Sequence, residues 1–296
     1  MHHPTERLIT MRSFRSLAAL GAVAALALAG CSGGGSDQSG SAASGSAESG
    51  AAGDTVTLRV GASPSPHAKI LQYVQDNLAA AEGLNLDIVE YTDYVQPNVA
   101  LESGDLDANF FQTVPYLENY EKEKGGSFVA GEGIHLEPLG LFSSKIKDLA
   151  DFPASGGKIG IISDQTNQAR ALALLAENGF VKLPASGDAN VNTVEKLKDF
   201  EFVEVDGPQL VRALDDVDLA AINGNFAQEG GLSLSKDALK VESATDNPSV
   251  NILVWNKDAS GDTLAAIEKL EKLLHSDGVR TFIEQTWSDG SVIPAF

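Results

Sequence analysis

A single arginine stands out in the segment Thr166-Asn167-Gln168-Ala169-Arg170-Ala171-Leu172. It sits near the start of a helical pattern carried by Ala169, Leu172, Ala173, Leu175 and Ala176 and closed by Gly179. A cation in the first turn of a helix faces the positive end of the helix dipole, which is unfavourable unless an anion is close. The free N–H groups of the same helix start also attract anions. Arg170 with the Thr166 and Asn167 backbone is therefore a candidate carboxylate site. The alternative is an arginine satisfied within the protein by Asp164 or another acidic neighbour, and spacing alone leaves both readings open.

A second group is aromatic: Tyr91, Tyr94, Phe110, Phe111, Tyr116 and Tyr120 cluster in a chain whose aromatic content is only 6%. Such side chains offer flat apolar walls, and tyrosine adds a polar tip suited to a small amphipathic ligand. Alternation along 108–112 puts Phe110 and Phe111 on opposite faces of a strand, so one can enter a core while the other faces a cleft.

Signals for catalysis are sparse. After Cys31 only His67, His135 and His275 remain, none paired at metal-ligand spacing. There is no His-Glu-x-x-His, nucleophile elbow or phosphate-binding glycine loop. Asp105 and Asp107 suit a helix-to-strand turn with one solvated carboxylate. Ser63 and Ser65 near His67 are the one place for an activated nucleophile, although a loop with Ser65 as helix N-cap explains them more simply. The expectation is a protein without catalytic residues, metal or cofactor.

The elements that position these residues alternate strand and helix, which favours an α/β architecture. Residues 55–61 alternate, with Val56, Leu58 and Val60 on one face. A turn over 61–66 leads to Ile70, Leu71, Val74 and Leu78 at helical spacing, stopped by Gly83. Further strands are expected at 84–91, 107–112, 158–162, 218–222 and 251–255. A short helix ends near Gly104, a turn spans 163–167, and no internal repeat is evident.

The N-terminus carries a different signal. Arg12 and Arg15 precede an apolar run over 17–29 that ends in Leu28-Ala29-Gly30-Cys31. Its 13 residues are short of the roughly 20 that a membrane-spanning helix needs. Residues 1–30 thus read as a signal peptide, and Leu-Ala-Gly-Cys resembles the bacterial lipobox, with Cys31 the lipidation point. Met11 is a second candidate start. Cys31 is the only cysteine, so no disulfide forms within the chain. Residues 32–53 are rich in Gly, Ser and Ala and read as a flexible tether. The whole chain carries −20 and the part from Cys31 onward −22, because the leader holds three arginines against Glu6. That acidic balance argues against nucleic acid and against anionic lipid surfaces.

The segments Tyr91-Thr-Asp-Tyr-Val-Gln-Pro-Asn and Gly104-Asp-Leu-Asp-Ala-Asn-Phe-Phe-Gln-Thr-Val-Pro-Tyr-Leu resemble the NlpA/MetQ lipoproteins, methionine-binding receptors of ABC importers. The same order continues with Ser143-Ser-Lys-Ile-Lys-Asp-Leu, Thr166-Asn-Gln-Ala-Arg-Ala-Leu, Pro208-Gln-Leu-Val-Arg-Ala-Leu-Asp-Asp, Ala221-Ile-Asn and Pro248-Ser-Val-Asn-Ile-Leu-Val. The resemblance implies a two-lobed periplasmic-binding-protein fold of type II-like form, each lobe a sheet flanked by helices, with ligand in the interlobe cleft. Residues 54–138 with 246–296 would form one lobe and 139–245 the other, with crossings near Leu139 and Thr245.

By motif position, Arg170 would pair with the ligand α-carboxylate, and Asn167, Asn223 and Asn251 would bond its polar end. Tyr94, Phe111 and Tyr116 would wall the side chain. Two positions depart from the family, Thr113 where it commonly has histidine and Ser249 where it has tyrosine, so a larger or differently polar pocket is expected. The implied protein is a monomeric, lipid-anchored receptor on the extracytoplasmic face of the cell membrane, bearing palmitate or a similar chain. It would pass methionine or a related amino acid to a permease and ATPase complex; a different amino acid or a small peptide is the variant reading. Competing readings are a surface-anchored hydrolase of small amides or esters and a solute receptor without transport.

Overall fold

The computed structural model describes residues 55–296. Cys31, the signal segment and the 32–53 tract lie outside the described residues. The strands are β1 (Val56–Ala62), β2 (Leu84–Glu90), β3 (Ala108–Thr113), β4 (Phe128–Leu136), β5 (Gly140–Phe142), β6 (Gly157–Ile162), β7 (Val181–Lys182), β8 (Glu195–Lys196), β9 (Phe200–Val205), β10 (Leu219–Ile222), β11 (Ala238–Val241), β12 (Val250–Asn256) and β13 (Ile293–Pro294). The helices are α1 (His67–Asn77), α2 (Gln96–Glu102), α3 (Val114–Lys124), α4 (Gln165–Glu177), α5 (Leu210–Ala213), α6 (Gly224–Glu229), α7 (Leu234–Asp237), α8 (Gly261–Leu274) and α9 (Asp277–Thr286).

Two sheets organise them. The first has the order β13-β4-β12-β3-β1-β2 and the second β11-β5-β10-β6-β9, while β7 and β8 form a separate pair. In the first, β1 runs parallel to β2 and β3, and β12 runs antiparallel to β3 and β4. In the second, β6 runs parallel to β9 and β10, and β5 antiparallel to β10 and β11. The chain leaves the first sheet after Leu136 and rejoins it at Val250, so the short segments 137–139 and 242–249 connect the two.

Period-2 alternation sorts side chains to the two faces of each sheet. Leu58 and Val60 of β1 and Phe110 of β3 pack with Ile70, Leu71 and Val74 of α1 and with Ile267, Leu270, Val279 and Ile283 of α8 and α9. Leu101 of α2, Leu117 of α3 and Val254 of β12 fill the opposite face. Leu219 and Ala221 of β10 face α4 through Leu172 and Leu175, whereas Ala220 and Ile222 face Phe226 of α6 and Leu210 of α5. Each large apolar side chain buried this way contributes roughly 1.5–3 kcal/mol, and together they fix the strand ends from which the site is built. Among the described residues no helix is long and apolar enough to cross a membrane.

Candidate functional site

A cavity of about 360 Å³ opens where the two sheets face each other, and all seven residues expected from the sequence line it: Tyr94, Phe111, Tyr116, Asn167, Arg170, Asn223 and Asn251. They come from six segments, and the fold explains each placement. Phe110 is fully buried under α1 and Phe111 lies in the cavity, the two-faced arrangement that alternation along β3 requires. Thr113 ends β3 and caps α3 by accepting a bond from the Tyr116 backbone N–H at 3.4 Å, which brings the Tyr116 ring to the cavity.

Three aromatic rings make the apolar end. Tyr94 lies 6.0 Å from Phe111 and 5.8 Å from Tyr116, and it stacks on Phe226 of the second sheet's layer at 4.7 Å. Its hydroxyl donates to Asn225 Oδ1, and the Tyr116 hydroxyl donates to the Tyr94 carbonyl at 2.9 Å. Burial, helped by nearby carboxylates, pushes both phenols above their usual range, so they act as neutral walls. Tyr91 and Tyr120 belong to the packed layers instead.

The polar end is arranged differently from the sequence expectation in three respects. First, α4 begins at Gln165, so Arg170 stands in the second turn and the helix-dipole argument for it weakens. Second, the Asn167 backbone N–H is already bonded to the Asp164 cap at 2.9 Å and is not a free anion donor. Third, Arg170 has an internal acidic partner, as the alternative reading allowed, but it is Glu242 and not Asp164. Arg170 Nε donates to Glu242 Oε1 at 2.9 Å and Nη2 to Oε2 at 2.6 Å, and Nη2 also donates to the Glu137 carbonyl at 2.7 Å. Burial pushes the Glu242 carboxyl up, but the Arg170 bonds and charge outweigh it and hold the group below its ordinary value. Nη1 has no protein bond among the described residues, so one edge of the guanidinium is left for a ligand.

Asn223 donates to Asn167 Oδ1 at 2.7 Å, and Asn223 Oδ1 is a buried acceptor with no partner among the described residues. Beside it lies a residue that sequence reasoning missed. Glu137, in the connecting segment, is 5% exposed and lines the cavity. His135 Nε2 lies 2.8 Å and His67 Nε2 3.3 Å from Glu137 Oε1. His67 Nε2 also lies 3.0 Å from Asn251 Oδ1. A Cβ on Gly224 would stand 2.8 Å from Glu137 Cβ, so glycine at 224 is what lets the carboxylate approach. The signal in the sequence was Asn223-Gly224-Asn225, a small residue between two amides.

His67, His135 and Glu137 offer ligand atoms within 4.8 Å of one another, a grouping hidden by their sequence spacing. Burial lowers His67 to about 4 and His135 to about 3, so both rings are neutral near pH 7. Metal binding through both Nε2 atoms would put protons on both Nδ1 atoms, and neither Nδ1 has a partner to accept from it. As the side chains stand, both Nε2 atoms are aimed at one Glu137 oxygen, the geometry of a hydrogen-bonded carboxylate.

Ser65 does not cap α1. Its hydroxyl donates to Gln228 Oε1 at 3.0 Å, and His67 bonds elsewhere, so the serine-histidine pairing a hydrolase needs is not made. Asp107 accepts the Arg59 backbone N–H at 2.7 Å and Asp105 accepts the Ser103 hydroxyl at 3.0 Å, both away from the cavity. Thr113 lines the cavity, and with Ser249 and Arg170 it also lines a second space of about 840 Å³.

Residues 58–296 match the model of the NlpA lipoprotein family. The chain belongs to this family. Three solved relatives show the same fold. A lipoprotein from Actinomyces odontolyticus is 69% identical with a TM-score of 0.80, covering 82% of this chain and 100% of its own. An ABC transporter periplasmic substrate-binding protein from Coxiella burnetii is 35% identical with a TM-score of 0.75, over 80% and 100%. A nutrient-binding protein from Burkholderia cenocepacia, bound to methionine, is 36% identical with a TM-score of 0.73, over 81% and 100%. The fold shared with these relatives is two-lobed, and the cavity lies between its two sheets.

Proposed function

We propose that this NlpA lipoprotein is the extracytoplasmic substrate-binding component of an ABC importer, capturing methionine or a related amino acid and delivering it to a membrane permease without chemical change. The observation that carries the reading is the two-ended cavity. Arg170 Nη1 offers a charged donor edge to an α-carboxylate, Glu137 and Asn223 Oδ1 offer acceptors to an α-ammonium, and three rings enclose an unbranched apolar side chain. A thioether also gains contact energy from aromatic rings. Lobes of 54–138 with 246–296 and of 139–245, closing about the connecting segments, complete the reading. Native mass spectrometry of the purified chain tests it. A co-purified species with the mass of an amino acid, released intact on unfolding, is expected; a hydrolysis product in its place would favour the enzyme reading.

Closure has a second support outside the cavity. Gln228 of α6 accepts from Ser65 Oγ at 3.0 Å and from Trp287 Nε1 at 2.9 Å, both in the first sheet's layer. Two such bonds, at about 1 kcal/mol each, bias the closed arrangement. Gln228→Ala is expected to weaken methionine binding by about tenfold, although it removes no ligand contact, and to raise the radius of gyration in small-angle scattering.

The anchor follows from Cys31. A Cys31→Ala chain is expected to leave the membrane fraction for the soluble one while binding ligand with unchanged affinity; retention on the membrane would refute lipidation at this residue.

A further inference from the structure

We propose that His135 is a positioning residue which, together with His67, aims the Glu137 carboxylate into the cavity as an ammonium acceptor, so that the receptor selects ligands with a free α-amino group. The inference rests on the amino-acid-binding reading above.

Both imidazoles direct Nε2 at the same carboxylate oxygen, His135 at 2.8 Å and His67 at 3.3 Å. His67 Nε2 lies between two acceptors, Glu137 Oε1 and Asn251 Oδ1 at 3.0 Å, so it must carry the proton. The arrangement leaves both Nδ1 atoms buried without a partner among the described residues, an unfavourable outcome for the fold alone. The rings are nevertheless locked, because Phe110 stands edge-on to His67 at 4.8 Å and to His135 at 5.2 Å. His135 is fully buried behind the cavity and does not line it, whereas His67 and Glu137 do. His135 therefore acts through Glu137.

Other groups act on this carboxylate from each packed element. Arg170 of α4 approaches through the Glu137 carbonyl, Asn225 at the start of α6 contributes a backbone N–H, and Glu229 of α6 and Tyr94 are near enough to interact with its charge. Burial raises the Glu137 carboxyl, opposed by the adjacent His67 ring, by the Arg170 charge and by the Asn225 N–H. Protonated Glu137 offers no charge to an ammonium, so affinity for an amino acid falls as pH drops through its pKa. Removing an N–H donor raises that pKa and moves the loss to higher pH.

The test titrates the full chain with methionine and with its α-hydroxy analogue, which keeps the carboxylate and thioether but lacks the ammonium. Wild type is expected to prefer methionine by at least about 100-fold. His135→Leu should lower methionine affinity by about tenfold or more, leave the hydroxy analogue within about twofold, and move the acid-side midpoint up by about one pH unit. His135→Gln, which keeps an N–H donor at similar reach, should retain most of the discrimination. Equal losses for both ligands in His135→Leu, or lost discrimination in a folded His135→Gln, would overturn the positioning role. Equal wild-type affinity for the two ligands would overturn the ammonium contact. Wild type binding neither would refute methionine as the ligand, the reading on which the inference rests.

Discussion

Arg170→Ala is expected to reduce methionine affinity by about 2–5 kcal/mol, roughly 30-fold to several-thousand-fold by calorimetry. The ligand carboxylate would enter a largely enclosed site with its charge-assisted donor gone. The same substitution strips Glu242 of its partner, and the two side chains are only 13% and 15% exposed, so the folded protein should lose about 2–4 kcal/mol in urea unfolding. The two effects separate in a double variant. Arg170→Ala with Glu242→Gln removes the stranded charge and should recover much of the stability, yet leave binding lost. Arg170→Lys should not rescue, because one ammonium cannot bond Glu242, the Glu137 carbonyl and a ligand in the planar geometry that the guanidinium supplies. Affinity returning with stability in the double variant would mean that Arg170 is structural only.

The second large effect lies beneath the aromatic wall. Asn98 Oδ1 accepts from Gln112 Nε2 at 2.7 Å and from Asn109 Nδ2 at 2.9 Å, while Asn98 Nδ2 donates to Gln112 Oε1 at 3.0 Å. Gln112 Nε2 also reaches Asn109 Oδ1 at 2.9 Å, and Asn109 Nδ2 reaches the Pro97 carbonyl at 3.2 Å. All three amides are buried, and they clamp α2 to β3, the strand that carries Phe111. Asn98→Ala deletes three of these bonds and orphans Gln112 Oε1. It is expected to lower stability by about 2–4 kcal/mol by urea or thermal unfolding, with a smaller fall in ligand affinity as Phe111 and Tyr116 lose their support. A loss under about 1 kcal/mol would show that the network is not holding the strand.

These residues also show what could be read in advance. Phe110 and Phe111 could be assigned to core and cavity because a strand has period 2, a local rule that needs no knowledge of the partner. The Arg170 reading reached a residue that lines the cavity through an argument that only partly holds, since the helix starts two residues before Asn167 and places the arginine beyond its first turn. What decides that arginine's surroundings is Glu242, 72 residues away in the segment joining the sheets, and no local pattern marks it. Glu137 is hidden for the same reason. It is an isolated acid after β4, whose meaning comes from His67 at one end of the chain's fold, His135 two residues earlier and Gly224 across the cavity. Strand β4 itself escapes pattern reading because Gly131, Glu132 and Gly133 interrupt its apolar alternation. The β9 segment, Phe-Glu-Phe-Val-Glu-Val, carries a legible strand pattern that a survey of the most apolar runs passes over.

Isothermal titration of methionine into the chain, unfolded and refolded to remove bound ligand, tests the central claim most directly. One saturable site per chain, lost in Arg170→Ala, is the result that this two-ended cavity predicts. No binding of methionine by the refolded wild-type protein, or binding unchanged in Arg170→Ala, would contradict it.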